Sequence, residues 1–286
     1  LPLADLTGKT VLITGASSGI GLEASVTLAK AGGDIVMVAR DRTRGEAALA
    51  EVKARSGSSR VTLMLCDFAS QADIRRFAAE FLASHDALHV LLNNAGTVAS
   101  AYALTEDGLE QTFAVNHLGY FLLTNLLLDL LERSAPARVV SVSSRGNYAG
   151  TLDFDNLQFE HGGYSIMAAY NRSKLANVLF TVELAARMEG RGVTANCLHP
   201  GVVATNIWSG APWFALPILA LMKRIMMITP EQGSDTITWL AASPEAEGQT
   251  GGYYDSRKRK RPHKLSQDAQ IARQLWEVSA ALVKLG

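Results

Sequence analysis

Cysteine is scarce in this chain of 286 residues, which has only Cys66 and Cys197, each inside an apolar stretch. Two separated thiols make no disulfide framework and fit a reducing compartment. With both thiols isolated, no metal site is expected. Net charge is also missing, because 27 Lys and Arg are matched by 27 Asp and Glu. A general nucleic-acid binder normally carries a basic excess, so that class drops out. Leu1–Lys9 has no basic stretch followed by an apolar one, so no secretory leader is expected there. Long hydrophobic runs are absent too. Ala211–Met222 contains two prolines and falls short of the roughly 20 residues that cross a bilayer. What the chain does have is apolar side chain, 48% of its residues, and 24 glycines. That suffices for a large core and excludes disordered and fibrous classes.

Short apolar runs at Thr10–Thr14, Ile35–Ala39, Val61–Cys66, Val90–Asn93, Arg138–Val142 and Thr194–Leu198 read as buried strands, with Gly252–Asp255 as a seventh. Helix-period segments lie between them at Ile20–Ala31, Arg42–Arg55, Ala72–Ser84, Gly108–Glu132 (a stretch open to interruption), Ala168–Met188 and Glu231–Ala242. Continuous rather than alternating hydrophobicity in the strands suits a parallel sheet covered on both faces. The alternation predicts an α/β fold of the Rossmann type: one doubly wound parallel sheet of about seven strands with helices on both faces, a single domain over residues 1–286. Ser70-Gln71-Ala72-Asp73 resembles a capping box, and Thr229-Pro230-Glu231-Gln232 places proline at a first helical position.

After the first strand comes Gly15-Ala16-Ser17-Ser18-Gly19-Ile20-Gly21, which opens a helix. Gly15 permits a tight turn, Gly19 lets the backbone approach a pyrophosphate, and Gly21 lets helix and sheet pack closely. The helix N-terminus then offers free N–H groups and partial positive charge to an anion.

The spacing Gly-x-x-x-Gly-x-Gly, with further motifs in order along nearly the whole chain, resembles the short-chain dehydrogenase/reductase family. Asp67, followed by Phe68, matches the family's adenine-contacting aspartate. Asn93-Asn94-Ala95-Gly96 matches its signature after the fourth strand, and Pro200-Gly201-Val202-Val203-Ala204-Thr205 matches its turn beside the nicotinamide. The resemblance implies a dinucleotide site built from Gly15, Ser17, Ser18, Gly19, Ile20, Gly21, Arg40, Asp67, Phe68, Asn94, Ala95, Gly96, Tyr170, Lys174, Pro200, Gly201, Val203 and Thr205. An acid at the end of the second strand would accept from a free ribose hydroxyl, whereas an arginine pairs with a 2′-phosphate. Arg40 stands there, followed by Asp41, so NADP(H) is favoured over NAD(H).

Tyr170-Asn171-Arg172-Ser173-Lys174 puts a phenol and an ammonium on one helix face. A phenol with a pKa of about 10 is a reluctant base near neutrality, and a nearby ammonium stabilises the phenolate. The pattern by itself is common, and a packed Tyr with a solvated Lys is the ordinary outcome. After a strand ending in Val142-Ser143-Ser144, and beside the cofactor motifs, the catalytic reading is preferred. The resemblance implies Tyr170 as proton donor and acceptor, and Lys174 as ribose ligand and modulator of the phenol. It also implies Ser144, rather than Ser143, as the serine that polarises substrate, and Asn116 as support for a water-linked proton relay. His117 and His199 flank these motifs, and packing is the reading for both.

An insertion at Gly150–Gly163, the stretches Asn116–Gly119 and Ser173–Asn177, and the ending Leu275-Trp276-Glu277-Val278-Ser279 resemble the retinol-dehydrogenase-like branch. That branch implies hydride exchange with a small apolar aldehyde or ketone and its alcohol. Steroid, quinone or polyketide-like ketones are the alternative substrates, and a dinucleotide sensor without turnover is the alternative class. Residues 206–228 are expected to form a substrate lid. The sequence also allows peripheral membrane contact through 211–228 and a homo-oligomer, in a cytoplasmic setting. Arg257-Lys258-Arg259-Lys260-Arg261 reads as a solvated turn.

Overall fold

The computed structural model describes residues 3–201 and 228–285. The strands are β1 (Thr10–Thr14), β2 (Asp34–Ala39), β3 (Val61–Leu65), β4 (Val90–Asn93), β5 (Ala137–Val142), β6 (Val193–His199), β7 (Gly252–Asp255) and β8 (Lys258–Lys260). They form one sheet in the order β3-β2-β1-β4-β5-β6-β7-β8. From β3 to β7 every neighbouring pair is parallel. Strand order reverses between β1 and β4, which opens a crevice at their carboxyl ends.

Alternate residues of each strand serve opposite faces. Leu12, Val36, Val38, Leu91, Val139 and Ala195 pack beneath α3 (Gln71–Ser84), α5 (Gly119–Leu126), α7 (Ile166–Arg187) and α9 (Ala269–Leu282). Val11, Ile13, Ile35, Met37, Leu92 and Val140 pack beneath α1 (Gly19–Lys30), α2 (Arg42–Ser56) and α8 (Pro230–Ala242). Burial on both faces explains the unbroken apolar runs of the central strands.

Four details differ from the sequence reading. The segment Gly108–Glu132, read as open to interruption, is interrupted; it differs in starting at Gln111 and in its pieces, α4 (Gln111–Phe113), a π-helical stretch Ala114–Leu118, α5 and α6 (Leu128–Arg133). The basic run is not only a turn. Ser256 and Arg257, at φ 53° and 60°, form a two-residue hairpin of the left-handed kind that suits strand twist, and Lys258–Lys260 returns as an antiparallel edge strand. Arg257 is held there by Asp235 and by Thr236 Oγ1, which accepts its amide. Among the described residues the sheet therefore has eight strands and is mixed. Helix α9 was not expected: Ala272, Leu275, Trp276 and Ser279 form its buried stripe, and Trp276 meets Phe121 and Phe180 at 4.8 and 5.8 Å between ring centres. Finally, Ser70 caps α3 by accepting from the Asp73 amide at 3.2 Å, but Asp73 turns to the Asp67 amide at 2.6 Å, so only half of the expected box forms. The Thr229–Gln232 box is complete, with Pro230 at the first helical position.

Candidate active site

The glycine turn between β1 and α1 is shaped by close backbone approach. Gly15 and Gly19 adopt φ of 65° and 58°, where an L side chain is strained. A Cβ on Gly21 would stand 2.5 Å from the Gly15 carbonyl oxygen. Asn94, at the end of β4, braces the turn: its Nδ2 donates to Thr14 O at 2.9 Å and to Gly15 O at 3.1 Å. Thr14, which sequence reasoning passed over, accepts the Asn94 and Ala95 amides on its hydroxyl at 2.8 and 3.0 Å. The Ser18 side chain makes no capping bond at the start of α1, and no acid lies in that first turn. Helices α2, α3, α7, α8 and α9 are all capped by their own N-cap side chains. The uncapped N–H groups of α1 are what an anionic group requires.

A cavity of about 680 Å³ runs from this turn along the carboxyl ends of the strands. Gly15, Ser17, Ser18, Gly19, Ile20, Arg40, Asp67, Phe68, Asn94, Ala95, Gly96, Ser144, Tyr170, Lys174, Pro200 and Gly201 all line it. Gly21 stands behind the turn and shapes it. Val203 and Thr205, the expected lid at 206–228 except Ile228, and nearly all of the proposed membrane-contact segment 211–228 lie outside the described residues.

Arg40 is exposed at the end of β2. The Asp41 carboxylate stands 3.5 Å from Arg44 Nε and accepts the Arg44 amide at 2.8 Å, which caps α2. That bond holds its carboxyl below the usual range. Arg44 lines the cavity with Arg40 and is a second cation that sequence reasoning missed, although a helix starting at Arg42 brings it back toward the strand end. The residues present fit a dinucleotide: uncapped amides for the pyrophosphate, with Arg40 and Arg44 at the far end.

At the other end, the two serines that follow β5 make different contacts. Both line the cavity, but Ser143 Oγ donates to Lys174 O at 2.7 Å, whereas Ser144 is hydrogen-bonded to the Tyr170 phenol. Lys174, one turn along α7 from Tyr170, is 3% exposed. Its Nζ donates to Val142 O at 3.1 Å and lies 5.6 Å from the centre of the Tyr170 ring. Burial pushes the Lys174 ammonium down to about 7. Burial also holds the Tyr170 phenol above its ordinary value, and the Ser144 hydrogen bond partly offsets this. Desolvation thus dominates both groups, and the ammonium is poised to carry or lose its charge near neutrality.

Asn116 sits on the π-helical stretch behind the cavity wall. Its side chain joins the Thr97 amide and carbonyl at 2.7 and 3.0 Å and Ser173 Oγ at 3.1 Å. Its own carbonyl accepts from Asn177 Nδ2 at 2.9 Å. His117 is fully buried between Asn177 Oδ1 and Ser279 Oγ, so its role is packing. Among the described residues no group of three or more His, Cys, Asp or Glu could hold a metal ion. His85 and His89, spaced four apart, serve separate ends: the first stacks on Phe81, and Nδ1 of the second accepts the Thr10 amide.

Comparison with known proteins follows the same lines. The chain matches the family described as short chain dehydrogenase over residues 9–212. It is 41% identical over 286 residues to human retinol dehydrogenase 13, covering 99% of this chain and 86% of that protein. It is similar to the crystal structure of an uncharacterized protein from Mycobacterium paratuberculosis, with 32% identity, a TM-score of 0.80 and coverage of 99% of this chain and 96% of that chain. The RhlG/NADP active-site complex of Pseudomonas aeruginosa aligns with 26% identity and a TM-score of 0.70 over 88% of this chain and 96% of that chain.

Proposed function

The chain belongs to the short-chain dehydrogenase family, and on that premise we propose that this oxidoreductase uses NADP(H) to interconvert an apolar aldehyde or ketone and its alcohol. The observation that carries the reading is the Ser144–Tyr170 hydrogen bond beside buried Lys174, in the same cavity as the uncapped amides of α1. Arg40 and Arg44 support NADP(H) over NAD(H), and the Pseudomonas aeruginosa relative is described as an NADP complex. The name of human retinol dehydrogenase 13 supports an apolar alcohol, as do Val98 and Met167 in the cavity wall.

Ser17–Ile20 would hold the pyrophosphate, Arg40 and Arg44 the 2′-phosphate, and Lys174 the nicotinamide ribose. When bound, the dinucleotide supplies or receives the hydride. Ser144 donates a hydrogen bond to the substrate oxygen and orients it. In reduction Tyr170 gives its proton to that oxygen, and in oxidation it takes the proton back. Lys174 in its ammonium form lowers the energy of the resulting phenolate.

The test follows the absorbance of reduced nicotinamide with aldehydes, ketones and alcohols of graded polarity. Tyr170→Phe is expected to bind NADPH as the parent does and to lower kcat by about 10²-fold or more. NADPH binding without turnover on any member of the panel would replace the enzyme with a dinucleotide sensor.

A further inference from the structure

We infer that His199 is a positioning residue for this reaction: its ring stands in for a strand carbonyl, holds the Arg145 amide, and so sets the Ser144 hydroxyl against Tyr170. The inference rests on the reaction proposed above and concerns a residue read from its motif as packing alone.

The reason lies in where β5 ends. Along the parallel pair β5–β6, the Ser143 amide donates to Leu198 O at 2.8 Å. Two residues on, a continued ladder would carry the Arg145 amide to the carbonyl of residue 200. The chain instead turns into a 3₁₀ segment, Arg145–Ala149, and leaves that amide beyond the ladder. An N–H that lacks an acceptor where it meets a buried side chain is costly. His199 supplies the acceptor: Nδ1 receives the Arg145 amide at 3.3 Å. Accepting on Nδ1 fixes the ring as the neutral Nε2–H tautomer. The ring is 5% exposed, and burial pushes its pKa down to about 4. Asp255 raises that value and Arg145 lowers it, both as smaller influences. The ring therefore remains an acceptor at neutral pH.

The same turn is clamped from the side. The Arg145 guanidinium pairs with Asp255 at 2.9 Å, and Asp255 lies opposite His199 in the β6–β7 register. Asn147 Nδ2 donates to Ser144 O at 2.7 Å, and Ser144 Oγ accepts the Gly146 amide at 3.1 Å. Ser144 thus begins a turn whose first amide, Arg145 N–H, is anchored by the ring of β6. His199 also lines the cavity that holds Ser144 and Tyr170. His117 shares neither property, which separates two histidines that look equivalent in the sequence.

Three substitutions in the full chain test this. Asparagine places its carboxamide oxygen where Nδ1 stood, glutamine places polar atoms only near Nε2, and leucine places none. His199→Leu and His199→Gln are expected to lower kcat about tenfold, the size of one lost hydrogen bond, with NADPH affinity and KM changed little. His199→Asn is expected to restore most of kcat. Deuterium exchange of the Arg145 amide gives a readout without turnover: slow in the parent and in His199→Asn, fast in the other two. Equal kcat in the asparagine and leucine variants would overturn the inference, as would a parent Arg145 amide that exchanges like a free one. The exchange measurement on the parent decides the matter even where His199→Leu fails to fold. A parent without turnover on any substrate would count against the reaction alone, because the exchange pattern is read independently.

Discussion

Lys174 carries the sharpest residue-scale consequence. Its folded pKa is about 7 against an ordinary 10.5, so between those values the unfolded chain holds a proton that the folded chain has released. Stability contributed at this position therefore rises with pH from about 7 upward, and below that the folded state bears a buried charge. The difference in Tm between the parent and Lys174→Met should shift in the parent's favour as pH is raised from neutrality. A gap that stays constant would show that the ammonium is better solvated than its burial implies. At the far end of the cavity, Arg40→Ala should reduce the preference for NADPH over NADH by about tenfold, as expected for one charge-assisted hydrogen bond at an exposed site. Titrating both cofactors at one ionic strength checks this, and an unchanged ratio would pass the 2′-phosphate contact to Arg44. The Tyr170–Lys174 pair was legible in the sequence because its geometry is contained in one helical turn. The bracing role of Asn94, the second cation Arg44 and the ring of His199 were not, because each depends on which atoms meet across separate elements.

Among the elements, α8 shows how much a local signal can specify. Thr229, Pro230 and Gln232 announce its start in the sequence, and both hydrogen bonds of the box are made, at 3.3 and 3.1 Å. Thr229→Ala should therefore cost about 1 kcal/mol of stability, read as a lower urea midpoint with an unchanged slope. The hairpin to β8 shows the opposite. Ser256-Arg257 contains neither glycine nor asparagine, the usual signs of such a turn, and five consecutive bases do not resemble a strand. Charge on an edge strand is nevertheless how sheets discourage further pairing. Helix α9 did carry a readable stripe at Ala272, Leu275, Trp276 and Ser279. The path from Gln111 to Arg133 was readable as open to interruption, but its π-helical stretch was not, and there Asn116 is held by Thr97 and Ser173 from separate elements.

At the scale of the whole molecule, the strand pattern was legible because two covering layers leave no polar face on the central strands. The substrate remains a matter of what the cavity admits. If it takes apolar chains, each added pair of methylenes should raise kcat/KM roughly tenfold until the space is filled, at about 0.8 kcal/mol per methylene. Straight-chain aldehydes of increasing length would show this, and a flat series would reject an apolar pocket.

The strand order β3-β2-β1-β4-β5-β6-β7-β8 has a consequence for the timing of synthesis. A ribosome delivers β1, β2 and β3 first, and these already stand side by side in the finished order. The glycine turn exists at that stage, but its brace Asn94 arrives only with β4, and Ser144, Tyr170, Lys174 and His199 emerge later still. A nascent chain stopped before residue 174 would carry amides suited to a phosphate and no ammonium to meet the ribose. The set of groups lining the cavity, which runs from Gly15 to Gly201, is therefore complete only once β6 has emerged.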